Sequence, residues 1–217
     1  MNRRSSFMLM LLPIGPLCVG FLRLLLPYYG TSDNVAAARA VVAQPGRESA
    51  VLWLGLAAVL TLVPGVYAAR GFLPATRLRS WAIGLVVAGY LCLPALLAGD
   101  LILWVGADQE LDPAVTGRLL DSLHPSFSVA LGVFIVGHVL GTVALGIACL
   151  RSEKLPPVIC WALIVSQPLH FVTTVFLGLP WLDLVAWTLT AGAMGAIALA
   201  NAQEREPITV KALTRAG

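Results

Sequence analysis

Two histidines, His138 and His170, are the residues of this chain best suited to chemistry. Each sits near the middle of an apolar stretch. The two stretches are joined by Arg151-Ser152-Glu153-Lys154-Leu155-Pro156-Pro157. His138 precedes this charged link by about 12 residues and His170 follows it by about 13, so a rise of ~1.5 Å per helical residue puts both ~18–20 Å from the same end of a helical hairpin. Two imidazoles at one depth on neighbouring helices can ligate a metal ion, hold haem b from opposite faces, or form the polar floor of a solute site.

Three more ionisable groups interrupt apolar stretches: Arg23, Asp100 and Asp183, with Gln167 as an amide companion. Such groups are costly in lipid and turn toward a bundle interior or cavity. Asp100 lies some 20 residues into its stretch, Asp183 about three into the last one, and Arg23 near the end of the first. The helical rise places these three in one layer, roughly 5–9 Å beyond the histidines. Gln167 and His170, three residues apart, share a helix face, and Pro168 between them frees a backbone carbonyl.

One reading is an outward-opening pocket. His138, His170 and Gln167 form its floor, while Asp100, Asp183 and Arg23 form its upper wall. The other is plain packing, in which Arg23 pairs with Asp100 or Asp183 and each histidine bonds a neighbouring carbonyl or hydroxyl such as Thr142. For haem b, the matched depth is favourable, yet the stripe Gly137, Gly141, Ala144 and Ala148 suits close helix packing equally well. A hydrolytic zinc site needs three protein ligands around an open position, and both carboxylates sit about a turn or more too high.

The elements that position these residues follow from composition. Of 217 residues, 59% are hydrophobic and 12% charged, and the mean hydropathy is +0.87. A soluble domain carries about 25% charged residues. Half that charge leaves too little polar surface to cover a globule, so most of the chain faces lipid. The net charge of +3, with no Lys/Arg run, gives no footprint for nucleic acid. Cys18, Cys92, Cys149 and Cys160 lie in or beside apolar stretches without a CxxC pair, as packed thiols do.

Six transmembrane helices are expected, at about 7–26, 50–69, 80–105, 126–150, 157–179 and 180–201. Pro13, Gly15, Pro16 and Gly20 predict a kinked or broken first helix, and Pro64-Gly65 a kink in the second. Asp33-Asn34 caps a short surface helix, and Asp112-Pro113 starts an amphipathic one; both would partly cover the pocket. Residues 203–217 read as a mobile charged tail. Of the 14 Lys and Arg, ten fall on the side of the termini and of the links at Arg70–Arg79 and Arg151–Lys154. The positive-inside rule makes that side cytoplasmic, with both termini. Trp53, Trp81, Trp104, Trp161 and Trp181 mark span ends. Trp187, four residues after Asp183, lies within reach of the pocket but suits packing better.

Trp81-Ala82-Ile83 aligns with Trp161-Ala162-Leu163, a faint sign of a duplicated hairpin that sets Tyr90 opposite His170. No phosphate-cradling loop, serine elbow, HExxH or nucleotide fingerprint occurs, so no catalytic residue is marked. Met10-Leu11-Leu12-Pro13-Ile14-Gly15-Pro16, Leu62-Val63-Pro64-Gly65, Gly137-His138-Val139-Leu140-Gly141 and Ser166-Gln167-Pro168-Leu169-His170 resemble stretches of small actinobacterial six-helix integral membrane proteins of no assigned activity. That resemblance implies a bacterial plasma-membrane location and transfers no site residue. The expectation is an all-α polytopic membrane protein that binds or transports a small molecule or ion. Its alternatives are a haem b or metal protein using His138 and His170, and a scaffold or accessory subunit of a larger membrane complex or homo-oligomer.

Overall fold

A computed structural model describes the backbone of residues 3–213 and the side chains of residues 11–203. The described chain is all α. Helix α1 is Arg3–Leu25, α2 Asn34–Ala43 and α3 Pro45–Arg70. Helix α4 comprises Arg77–Leu91 and Leu93–Asp108, interrupted at Cys92. Then follow α5 (Pro113–Asp121) and α6 (Ser126–Ser152). Helix α7 runs over Pro157–Val172 and continues as a wider π turn, Thr173–Leu177, and α8 is Pro180–Leu213.

Five of these helices, α3, α4, α6, α7 and α8, are long and apolar enough to cross a bilayer. By length and composition that makes the chain a multi-pass membrane protein. Among the described side chains α1 contributes the shorter apolar stretch Leu11–Leu25. It packs between α3 and α8.

Small residues set the helix contacts, as they must where lipid is as apolar as the side chains and close backbone approach supplies the attraction. A Cβ on Gly137 would lie 2.7 Å from the Leu85 carbonyl oxygen, and one on Gly141 2.6 Å from the Val86 nitrogen. The α6 stripe is therefore filled by the backbone of α4. Gly65 stands against Leu11 and Leu12 in the same way, and Gly20 against Leu184 and Trp187. The core between them holds Leu145, Leu163, Trp187, Met194 and Ile197, all fully buried.

Several expected boundaries shift. Helix α1 is continuous through Pro13 and Pro16 rather than broken. Helix α3 starts at Pro45, not near 50, because proline is tolerated in a first helical turn, where the N–H has no partner to lose. The segment expected as an irregular tail prolongs α8 to Leu213, and residues 214–217 of it lie outside the described residues. Both surface helices form, and Asp33 and Asp112 cap them through Val35, Ala36 and Ala114 N–H groups.

Trp53, Trp81, Trp161 and Trp181 are exposed on the bundle's outside, as span-end anchors should be. All four cysteines are free thiols.

Candidate functional site

His138 and His170 meet. Their ring centroids lie 5.5 Å apart, with Trp187 completing a triangle at 5.9 Å from His138 and 5.2 Å from His170. Both histidines are held by Nδ1. His138 donates from Nδ1 to the Phe134 carbonyl at 2.5 Å; the proton belongs to the ring because a carbonyl only accepts. That leaves Nε2 as a lone pair, buried and without a partner. His170 Nδ1 lies 2.5 Å from Asp183 Oδ1.

Asp183 is completely buried and is fixed as a carboxylate by its other neighbours. Arg23 Nε donates to Oδ2 at 2.9 Å, and the Tyr29 hydroxyl donates to the same oxygen at 2.9 Å. The Trp187 indole N–H donates to the same His170 nitrogen at 3.2 Å. The second Arg23 nitrogen donates to Thr174 Oγ1 at 3.2 Å. Thr174 belongs to the π turn, whose Gly178 N–H reaches back to the Thr173 carbonyl at 2.9 Å. The wider turn swings Thr174 toward Arg23 and Asp183, a placement common for π segments near functional groups.

Next to Tyr29 in the chain, Tyr28 donates from its hydroxyl to Asp100 Oδ1. Burial and the neighbouring Asp100 carboxylate push the Tyr28 phenol far above its ordinary range. Burial raises Tyr29 too. Both therefore remain donors at neutral pH.

Between the two clusters lies a cavity of about 350 Å³. Its polar groups are Arg23, Tyr28, Thr31, Asn34, Asp100, His138, His170 and Thr174, and Leu, Ile, Val and Phe side chains form most of the rest. The break at Cys92, followed by Pro94, redirects α4 so that Leu93, Leu96, Leu97 and Asp100 all face it. Asn34 and Ala37 of α2, with Leu120 of α5, close one end. The two covering helices are tied by Asn34 Nδ2 donating to Asp121 Oδ1 at 2.7 Å.

Four of the six residues expected at a pocket thus line it: His138, His170, Asp100 and Arg23. Asp183 does not; it stands behind His170. Nor does Gln167, which is buried and donates to Thr190 Oγ1 at 2.8 Å. Arg23 pairs with Asp183, as one of the two readings expects, and attracts Asp100 at longer range. Asp183 reaches down to His170, and Asp100 pairs with Tyr28. His138 uses the carbonyl one turn before it instead of Thr142.

Haem b fits poorly here. Axial ligation from both sides needs imidazole centroids roughly 6 Å apart or more, given metal–nitrogen bonds of about 2 Å, and a flat slot between them. Trp187 occupies that region, and α4 fills the small-residue stripe that would have widened it. Among the described residues no group of three or more His, Cys, Asp or Glu is placed to hold a metal ion.

Comparison with family models, with curated proteins and with solved structures finds no match to this chain. The site's own geometry carries the functional argument.

Proposed function

We propose that the protein binds a small, largely apolar molecule in this cavity, from the outer side of a bacterial plasma membrane. In this reading α1 is a sixth span, both termini are cytoplasmic, and α2 and α5 cover the outer mouth. The observation that carries it is the cavity of about 350 Å³ ending on His138, whose Nε2 is buried without a partner. A buried acceptor left unpaired is costly, and a ligand hydroxyl or N–H relieves it. The volume matches the lower range of small-molecule sites, as does a mostly apolar wall with a few convergent polar groups. Transport of the same molecule is the natural extension, because the breaks in α4 and α7 both border the cavity.

The test uses 4-phenylbutanol as probe and the purified chain in a mild nonionic detergent. The wild type should show a saturable rise in unfolding temperature. Leu96→Trp, which plugs the cavity from α4, should show none. An equal, unsaturable response in both proteins means partition into detergent and removes the proposal.

A second reading has one specific observation in its favour. Both imidazoles are tied at Nδ1 to a carbonyl or carboxylate, the arrangement that orients metal-ligating histidines. A single transition-metal ion bridging His138 and His170 would then complete its shell with exogenous ligands. Elemental analysis of the purified protein checks this: a stoichiometric metal lost in both His138→Ala and His170→Ala supports it, and a metal-free wild type ends it.

A further inference from the structure

The charges around the cavity do not balance. Arg23 is the cation among the described residues that line the cavity, and the carboxyl groups on or near it are Asp183, Asp100 and Glu48. Arg23 is committed to Asp183 and Thr174. Among the described residues Asp100 has only the neutral Tyr28 hydroxyl as its hydrogen-bond partner, with Arg23 attracting it at longer range. Glu48, in the first turn of α3, is fully buried, and neither of its carboxylate oxygens has a partner. It lies within the field of both Asp100 and Tyr28. Arg47, next to it in the chain, turns away and donates to Gln44 Oε1 at 2.8 Å and the Leu24 carbonyl at 3.1 Å.

Two such carboxyl groups, Asp100 on the cavity wall and Glu48 fully buried, stay ionised together only if a further cation comes to them. A bare inorganic ion is a poor candidate. Hard cations such as Ca²⁺ take about 6–8 oxygen ligands, and apart from Tyr28 and a few other polar groups the cavity wall is mostly leucine and phenylalanine. A cation that brings its own apolar body fits both halves of the site. Its ammonium group donates to carboxylates, and its hydrocarbon or aryl part lies against leucines and phenylalanines.

We propose that the cavity selects a lipophilic amine, with Asp100 as the direct counter-charge and Glu48 behind it. This rests on the cavity being a binding site and names the class of ligand it takes. His138 and His170 then meet the far end of the ligand, where a hydroxyl or N–H of its own would pair with His138 Nε2, and Glu48 acts through Asp100 as a positioning residue.

Matched probes test it: 4-phenylbutylamine, 4-phenylbutanol and 4-phenylbutyrate, titrated against the full chain in nonionic detergent near neutral pH. The amine should bind at least about tenfold tighter than the alcohol, and the acid most weakly. Asp100→Asn and Glu48→Gln should each shrink the amine's advantage over the alcohol to about threefold or less. Equal affinity for amine and alcohol in the wild type overturns the proposal while the cavity reading stands. A preference that survives both substitutions overturns it as well. If Asp100→Asn fails to fold, Glu48→Gln and the wild-type comparison still decide. Binding of none of the three probes removes the cavity reading and this proposal together.

Discussion

Asp183 is the residue on which the histidine cluster turns. It joins α8 to α1 through Arg23, to the α1–α2 turn through Tyr29, and to α7 through His170. Truncating one partner of a buried ion pair leaves the other charge uncompensated, at about 3–5 kcal/mol. Asp183→Ala should lower stability by that order in detergent unfolding and loosen His170, whereas Gln167→Leu, away from the cavity wall, should leave probe binding unchanged. Tyr28 gives a pH signature. Its folded phenol is raised, so the stability it contributes is intact below the ordinary tyrosine range and is lost as pH rises above about 10. Tyr28→Phe should flatten the alkaline loss of unfolding temperature; an unchanged alkaline slope would contradict the assignment. Equal depth on two helices makes a His138–His170 approach possible, but which faces the helices turn to each other, and so the contact itself, is not in that count. The Asp183–His170 contact was not legible that way, because counting helical rise omits side-chain reach and the π turn. Tyr28, Tyr29, Thr174 and Glu48 went unmarked, although two tyrosines just beyond Arg23 were a signal that a polar end needed donors.

At the scale of elements, two interruptions shape the site. Helix α4 breaks at Cys92 and carries Asp100 to the cavity, and the π turn of α7 aims Thr174. Pro13, Pro16 and Pro64 stand inside helices that stay continuous. Pro94, in the middle of a long apolar run, marked the break that matters. Between α4 and α6 the fit leaves no room: a Cβ on Gly89 would sit 2.6 Å from the His138 backbone nitrogen. Gly89→Val should therefore destabilise by about 1–3 kcal/mol, or more where the backbone cannot yield, and displace His138. Gly84→Val, on the same helix with open space around it, should unfold within a degree or so of the Gly84→Ala control. Equal effects at Gly89 and Gly84 would mean that α4 and α6 are not in backbone contact.

For the whole molecule, composition and hydropathy were enough to announce apolar helices in series. The cavity was not legible, since it depends on which faces α1, α4, α6 and α7 turn to each other. The proposed orientation makes a separate prediction. Ser122→Cys, at the exposed end of α5, should react with an impermeant maleimide on intact cells, and Glu153→Cys, in the α6–α7 link, only after lysis. The opposite pattern would invert the topology and place the cavity mouth in the cytoplasm. The binding claim itself is tested most directly by photolabelling the membrane-embedded chain with a diazirine derivative of 4-phenylbutylamine and mapping the adducts by mass spectrometry. The account predicts saturable labelling on 93–103, 127–139 and 170–175, competed by unlabelled amine. Labelling spread over the lipid-facing surfaces around Trp53, Trp81 and Leu199, with no competition, would contradict it.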